Sequence, residues 1–208
     1  MDEEAARSWL IGAGVSRETR EKIDRFVALL VEENTRQNLI GAASIDHIYT
    51  RHIIDSAQLW RLAPDAGSWL DLGSGAGLPG LVLAILSHAP VTLVESRRLR
   101  ADWLRRAADT LDLPNVRVQP CRIERVTASP TGVITARAFA PLPKLLGLAH
   151  RFSTEETLWI LPKGRSAAEE LASVAGTWHG SFRMEPSVTD PDSAIIVARH
   201  VRPRRSRQ

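Results

Sequence analysis

The stretch WLDLGSGAGLPG, residues 69–80, places four glycines within eight residues, directly after a short apolar run that carries an acid. The apolar residues LVLAIL follow it. This order predicts a buried β-strand, a tight turn and a helix. Because glycine adopts left-handed conformations and lets other groups approach the backbone closely, the unit is typical of α/β folds in which a ligand lies against the turn.

Strand and helix patterns continue to alternate along the chain. Strands are predicted at residues 69–72, 91–95, 116–119, 133–136, 158–161, 182–188 and 194–200. Helices are predicted between or after them at 80–87, 98–111, 121–126, 142–152 and 166–175. This alternation indicates an α/β fold with a seven-stranded, mostly parallel sheet and helices on both faces. Only a short turn, with Asp190, Pro191 and Asp192, separates the last two strands, which predicts an antiparallel hairpin at the sheet edge.

The first third of the chain has a helical character. Residues 17–33 carry Ile23, Phe26, Val27 and Leu30 at helical spacing, and a second helix is predicted at 45–62. We therefore expect an N-terminal helical segment, residues 1–64, packed on a core of residues 65–201. A disordered basic tail is expected at 202–208.

The composition excludes several classes of protein. Hydrophobic residues make up 44% and charged residues 25%, as in soluble globular proteins, and no apolar run approaches the ~20 residues that span a bilayer. The single cysteine excludes an internal disulfide, and the six histidines are scattered, so no metal site is predicted. The last seven residues contain four arginines, so their positive charge exceeds the net charge of +3 of the whole chain. The N-terminus carries acids where a secretory signal would carry positive charge, so we expect a cytoplasmic protein.

Two ligands suit the glycine-rich turn. Gly75, Gly77 and Gly80 match the GxGxxG pattern of dinucleotide-binding enzymes, and Glu95 at the next strand end could bind a ribose hydroxyl. A nicotinamide-dependent oxidoreductase is therefore one interpretation. However, Asp71 places a negative charge where a pyrophosphate would lie, and an acid there favours the cationic S-adenosylmethionine.

Several further blocks resemble one family. They are NL at residues 38–39, RHIIDS at 51–56, DLGSGAGLPG at 71–80, VQPCRIE at 118–124, TARAFAPL at 135–142 and LPKG at 161–164. Together they resemble the bacterial small-subunit ribosomal RNA guanine-N7 methyltransferases, the GidB family (glucose-inhibited division protein B). One departure is Glu33-Asn34, where many members have Trp-Asn.

The resemblance implies a Rossmann-like class I methyltransferase that transfers a methyl group from S-adenosylmethionine to N7 of a specific guanosine in 16S ribosomal RNA. It implies that the cofactor pocket is formed by Gly73, Leu78, Ile123, Glu124 and Arg137.

The chemistry of the residues extends this pocket. Asp71 and the backbone of the turn, including Ser74, Gly75 and Gly77, are expected to face the methionine part of the cofactor. Glu95 is expected to accept a hydrogen bond from the ribose. Because guanine N7 has a lone pair and no proton, no catalytic base is predicted, and the protein is expected only to position the reactants.

The partner is expected to be 16S rRNA, the small ribosomal subunit or an assembly intermediate, bound by a monomer. The candidates for RNA contacts are the basic residues Arg51, Arg97, Arg98, Arg100, Lys163 and Arg165. Tyr49 and Phe139 are the aromatic residues expected to touch a base. A non-catalytic RNA-binding assembly factor remains an alternative.

Three smaller predictions concern single side chains. Cys121 is interpreted as a small buried hydrophobic residue rather than a nucleophile. His52 and Asp55, three residues apart, suit a structural hydrogen bond on one helix face. Arg137 has an alternative role, which is to neutralise Asp71.

Overall fold

Seven strands form a single sheet in this computed structural model, which describes residues 1–204. The strands are β1 Trp69–Leu72, β2 Val91–Val94, β3 Val116–Gln119, β4 Val133–Thr135, β5 Leu158–Lys163, β6 Trp178–Pro186 and β7 Ala194–Pro203. Their order is β3-β2-β1-β4-β5-β7-β6. β1 to β5 pair in parallel, and β7 is antiparallel to both β5 and β6. The predicted sheet and its antiparallel edge hairpin are confirmed.

Helices precede the sheet and connect its strands. The α-helices are α1 Glu3–Gly12, α2 Arg17–Asn34, α3 Asp55–Leu62, α4 Gly80–Leu86, α5 Arg98–Thr110, α6 Leu142–Ala149 and α7 Ala167–Val174. Single-turn or short 3-10 helices lie at Ala42–His47, Ile123–Arg125 and His150–Phe152, and a π-helix lies at Tyr49–Ile54. Within residues 1–204, no helix is both long and apolar enough to cross a membrane.

The N-terminal segment differs from the prediction in two places. Helix α1 was not predicted, although Asp2 accepts a hydrogen bond from the Ala5 N–H and acids occupy its first turn. The single helix predicted at 45–62 is divided into a 3-10 helix, the π-helix and α3. The side chain of Glu3 in α1 accepts hydrogen bonds from the backbone N–H of Tyr49 and Thr50, at 2.9 and 2.8 Å, where the π-helix begins. A contact across 46 residues therefore shapes this segment.

Two hydrophobic cores cover the two faces of the sheet. One joins the N-terminal helices to α4, α5 and the sheet, and it includes Phe26, Ile53, Trp69 and Leu81. The other lies under α6 and α7. Because the helices before β1 share the first core with α4, α5 and the sheet, the fold holds them on this face of the sheet.

The last two strands extend beyond their predicted bounds. β6 begins at Trp178 rather than at residue 182 and ends at Pro186 rather than at 188, and β7 continues to Pro203 rather than to residue 200. β5 also continues two residues beyond its predicted end, to Lys163. Arg202 therefore lies in a strand rather than in the expected tail. Arg205 and Arg207 of that tail lie outside the described residues.

Glu33, which stands where many members of the resembled family have Trp, connects α2 to α5. Its side chain is buried and accepts hydrogen bonds from Arg106 at 2.8 Å and from Gln37 at 2.7 Å. Arg36 adds a weaker contact at 3.4 Å. Burial acts to raise the pKa of Glu33, but the hydrogen bonds from Gln37 and Arg106 outweigh it and lower the pKa below its ordinary value.

We predict that Glu33→Gln lowers the free energy of unfolding at pH 7 by about 1–2 kcal/mol, because Arg106 loses its charged partner. A lowered pKa stabilises the fold above the ordinary value of 4.5, and that stabilisation is lost as the pH falls through the folded-state pKa. The deficit measured by urea unfolding should therefore shrink from pH 7 to pH 4. The exposed neighbour provides the control: Glu32→Gln should cost less than about 0.5 kcal/mol. Equal effects of the two substitutions would contradict the prediction.

Candidate functional site

The turn between β1 and α4 lies at the edge of the sheet where the parallel strands end. Gly73, Gly75 and Gly77 have φ angles of 71°, 52° and 91°, in the left-handed region that favours glycine. Gly73 also has a close neighbour, because a Cβ atom built there would lie 2.6 Å from Cδ2 of Phe139. The glycines are therefore required by the backbone and by the contact with Phe139.

Two buried carboxylates hold this glycine loop. Oδ2 of Asp71, at the end of β1, accepts a hydrogen bond from the Gly80 N–H at 3.2 Å. Oε2 of Glu95, directly after β2, accepts one from the Gly75 N–H at 3.0 Å, and its Oε1 accepts one from the Arg97 N–H at 2.7 Å. The loop is thus fastened to the ends of two neighbouring strands.

Only one of the two carboxylate oxygens of Asp71 forms a hydrogen bond within residues 1–204. Its side chain is completely buried, and Oδ1 has no hydrogen-bond partner among the described residues. Burial raises the pKa of Asp71 to about 6, against the opposing effects of hydrogen bonds and of the charge on Arg137. An unpaired carboxylate oxygen under the loop is an acceptor that suits a donor or a cation.

A cavity of about 470 Å³ opens beside the loop, and we call it the glycine-loop cavity. Its walls bring together residues from the loops after four strands, among them Gly73, Glu95, Cys121, Ile123, Glu124 and Phe139. Ile123 is buried and Glu124 is exposed at the cavity wall. Four of the predicted cofactor residues, Gly73, Glu95, Ile123 and Glu124, therefore line one cavity.

The other predicted cofactor residues lie elsewhere. Asp71 at the strand end and Ser74, Gly75, Gly77 and Leu78 in the turn are buried and do not line the glycine-loop cavity. Leu78 belongs to the first hydrophobic core, with 4% of its surface exposed.

A second cavity, of about 670 Å³, lies on the other side of residues 138–140, and we call it the Arg137 cavity. Ala138, Phe139 and Ala140 line both cavities, so the two spaces share a wall. Other walls are formed by charged residues and by the β6–β7 hairpin, among them Asp55, Arg137, Lys163, Glu170, Ser193 and Ile195. The sequence did not indicate that Asp55 and the hairpin would meet at this cavity.

Arg137 joins the N-terminal segment to this cavity. Its Nη1 lies 3.4 Å from Oδ2 of Asp55, 3.3 Å from Nδ1 of His52 and 3.4 Å from the carbonyl oxygen of Arg51. Burial, followed by the charges of Arg137 and Arg51, lowers the pKa of His52 to about 4. His52 is therefore neutral at pH 7.

This arrangement corrects two predictions. His52 and Asp55 do not bond to each other, because Arg137 lies between them and the Nε2 of His52 bonds to Ser44 at 2.8 Å. Arg137 forms its ion pair with Asp55 and not with Asp71, which it influences only through its charge.

The predicted basic residues occupy different environments. Lys163 has only 10% of its side chain exposed and pairs with Glu170 at 2.7 Å. Arg100 is half-buried and donates to the carbonyl of Asn38 at 3.3 Å. Four of the candidates are exposed, namely Arg51, Arg97, Arg98 and Arg165.

Two further side chains differ from their predictions. Tyr49 is only 2% exposed, its hydroxyl bonds to Asp24, and the guanidinium of Arg7 stacks on its ring, so it belongs to the core and cannot touch a base. Cys121 is half-buried and lines the glycine-loop cavity, whereas the prediction was a buried residue. Phe139, the other aromatic candidate, lies in the wall between the cavities.

Comparison with known proteins identifies the family. The family described as "GidB: rRNA small subunit methyltransferase G" matches residues 19–188. The protein named ribosomal RNA small subunit methyltransferase G from Rhizorhabdus wittichii is 52% identical, over 98% of this chain and 95% of that protein. The protein of the same name from Zymomonas mobilis is 50% identical, over 100% and 98% of the two chains. The chain belongs to the GidB family.

A solved structure agrees with this fold. The O-methyltransferase from Bacillus cereus, determined in complex with SAH, superposes with a TM-score of 0.61 at 16% identity, over 94% of this chain and 97% of that one. The GidB chain therefore has the predicted Rossmann-like methyltransferase fold, and helices precede its first strand.

We predict that the buried Asp71 makes the stability of the fold depend on pH. A folded-state pKa raised from 3.8 to about 6 destabilises the fold as the pH rises through that window, by about 3 kcal/mol in total at 1.36 kcal/mol per pKa unit. Asp71→Asn removes this titration. The unfolding free energy of the variant relative to the wild type should rise by about 2 kcal/mol between pH 4 and pH 7.

Urea unfolding at several pH values measures this difference. Asp65→Asn provides the control, because Asp65 is exposed and its substitution should leave the pH dependence unchanged. A difference between Asp71→Asn and the wild type that stays constant from pH 4 to pH 7 would contradict the assignment.

Proposed function

We propose that this protein transfers a methyl group from S-adenosylmethionine to N7 of a specific guanosine in 16S ribosomal RNA. Membership of the GidB family makes it an S-adenosylmethionine-dependent rRNA methyltransferase and excludes the dinucleotide-dependent oxidoreductase. The observation that supports the proposal best is the wall of residues 138–140 shared by two cavities. One cavity suits the cofactor and the other suits the target base, so the methyl donor and the base would lie next to each other.

The residues of the glycine-loop cavity fit this cofactor. The carboxylate of Glu95 accepts hydrogen bonds from two backbone N–H groups. Its oxygens have further lone pairs that can accept hydrogen bonds from ribose hydroxyls. Ile123 and Glu124 would meet the adenine. Asp71 is buried under the loop and does not line the cavity, and its negative charge favours a positively charged ligand on the loop. The negative charges of Asp71, Glu95 and Glu124 would repel a pyrophosphate. When bound, S-adenosylmethionine supplies a methyl group on a sulfonium, with a neutral thioether as the leaving group.

The chain's own residues position the target. Guanine N7 is a nucleophile without a proton, so no side chain needs to act as a base. The half-buried ring of Phe139 offers a stacking surface in the wall between the two cavities. Holding N7 at about 3–3.5 Å from the methyl carbon is the contribution of such a site to catalysis.

The exposed arginines supply the RNA contacts in this proposal. Arg51 and Arg165 line a cleft next to the Arg137 cavity, and Arg97 lines the glycine-loop cavity. Phosphate contacts of this kind add affinity without sequence information. We propose 16S rRNA, the small subunit or an assembly intermediate as the partner of a monomeric, cytoplasmic enzyme.

We predict that Gly73→Ala weakens the binding of S-adenosylhomocysteine at least about tenfold. An alanine at φ 71° costs about 1–2 kcal/mol, and its Cβ would displace the ring of Phe139 in the cavity wall. Isothermal titration calorimetry measures the affinity. Gly67→Ala provides the matched control, because nothing lies within 4 Å of a Cβ built at that position. Unchanged binding by Gly73→Ala would contradict the placement of the cofactor.

The reaction itself is tested by mapping N7-methylguanosine in ribosomal RNA from cells with and without this gene. We expect one methylated guanosine of 16S rRNA to disappear and to return when purified protein and labelled S-adenosylmethionine are added to small subunits from the deletion strain. Persistence of the mark in the deletion strain would refute the assignment. Binding of the RNA without methyl incorporation would support the non-catalytic assembly factor instead.

A further inference from the structure

Selection of guanine requires a group that distinguishes it from the other bases. Its Watson–Crick edge carries two adjacent donors, N1–H and the N2 amino group, whereas adenine has an acceptor at N1 and no amino group at C2. A carboxylate only accepts hydrogen bonds and therefore distinguishes the two bases. This edge is also remote from N7, so binding through it leaves the nucleophile free.

Two carboxylates line the Arg137 cavity, and Glu170 is already engaged. Its Oε2 accepts hydrogen bonds from the Leu142 N–H at 2.8 Å and from Nζ of Lys163 at 2.7 Å. Its Oε1 accepts one from the hydroxyl of Ser166 at 3.2 Å. Glu170 therefore accepts a hydrogen bond from the backbone at the start of α6 and neutralises the charge of Lys163.

Asp55 has one oxygen that is held and one that is weakly engaged. Oδ1 accepts hydrogen bonds from Nε2 of Gln58 at 3.1 Å and from the hydroxyl of Thr189 at 3.2 Å. Among the described residues, Oδ2 has only Arg137 as a partner, at 3.4 Å, and the side chain remains 22% exposed. The carboxylate is thus oriented by one oxygen while the other can accept new hydrogen bonds.

The orientation of Asp55 is supported from both sides. Gln58, on the same helix, is buried and accepts a hydrogen bond from the Val188 N–H at 2.9 Å, which fixes the β6–β7 turn. Thr189 of that turn bonds to Asp55, as described above. A side chain held between two elements is suited to reading a base because its geometry is set before the base arrives.

We propose that Asp55 selects guanine in the Arg137 cavity by accepting hydrogen bonds from its N1–H and N2 amino groups. This inference rests on the proposed function, because it names the group that recognises the methylated base. Arg137, whose contacts with Asp55, His52 and the Arg51 carbonyl are all 3.3–3.4 Å, lies beside this carboxylate. Phe139 in the shared wall stacks on the same base.

The test compares two RNA substrates that differ in one amino group. Small subunits are prepared with guanosine or inosine at the methylated position found by the mapping experiment. Inosine retains N7 and N1–H but lacks the N2 amino group. For the wild type, we expect kcat/KM to fall about tenfold with inosine, through the loss of one hydrogen bond to a charged group. For Asp55→Asn, we expect kcat/KM on guanosine to fall at least about tenfold and the ratio of the two substrates to approach one.

Two variants serve as controls. Glu170→Gln changes the other carboxylate of the cavity, and Thr189→Val removes one contact of Asp55 without removing its charge; both should keep the guanosine preference. S-adenosylhomocysteine binding and thermal melting of Asp55→Asn show whether the fold is intact. If this variant does not fold, Asp55→Glu, which keeps the carboxylate but moves it by one methylene, replaces it and should likewise lower the ratio of the two substrates.

Several results would overturn the inference. Equal rates of the wild type on guanosine and inosine would show that the N2 amino group is not read. An Asp55→Asn variant that is slower on both substrates, with the preference unchanged, would reduce Asp55 to a structural role. Loss of the preference in Glu170→Gln alone would identify Glu170 as the reader. A wild-type protein that methylates neither substrate would instead refute the proposed function.

Discussion

The rest of the site depends on two buried carboxylates that hold the glycine loop by its backbone. Asp71 binds the N–H of Gly80 and Glu95 binds that of Gly75, so the loop is anchored to the ends of β1 and β2. Burying these groups is costly, as the raised pKa of Asp71 shows. The loop geometry that results places Gly73 against Phe139 and determines where the glycine-loop cavity lies.

The segment before the first strand has a direct part in the site. It shares a hydrophobic core with the sheet and sends His52 and Asp55 to the neighbourhood of Arg137. Asp55 and Gln58 also contact the turn between the last two strands. One wall of the Arg137 cavity is therefore assembled from the segment before β1 and from the β6–β7 hairpin. A change in either element would alter the space offered to a base.

The strands and most helices could be predicted because their causes are local. Apolar patterns predicted all seven strands, with the largest boundary errors in β6 and β7 and errors of one or two residues at the ends of β2, β4 and β5. The acid-terminated strands indicated the edge where the cavities lie. The failures have tertiary causes. The π-helix at Tyr49–Ile54 depends on Glu3, and the burial of Tyr49 depends on Asp24 and Arg7, which no local pattern around residue 49 indicates.

The sequence by itself determined the α/β fold, the glycine loop, the acids at the strand ends and the family, because these are encoded by residue types at fixed spacing. Only the tertiary structure decided which charged side chains are free to contact a ligand. Lys163 and Arg137 are both basic residues at the ends of neighbouring strands, yet Lys163 pairs closely with Glu170 and Arg137 only loosely with Asp55. Partners of this kind come from distant parts of the chain, and only the folded packing brings them within hydrogen-bonding distance.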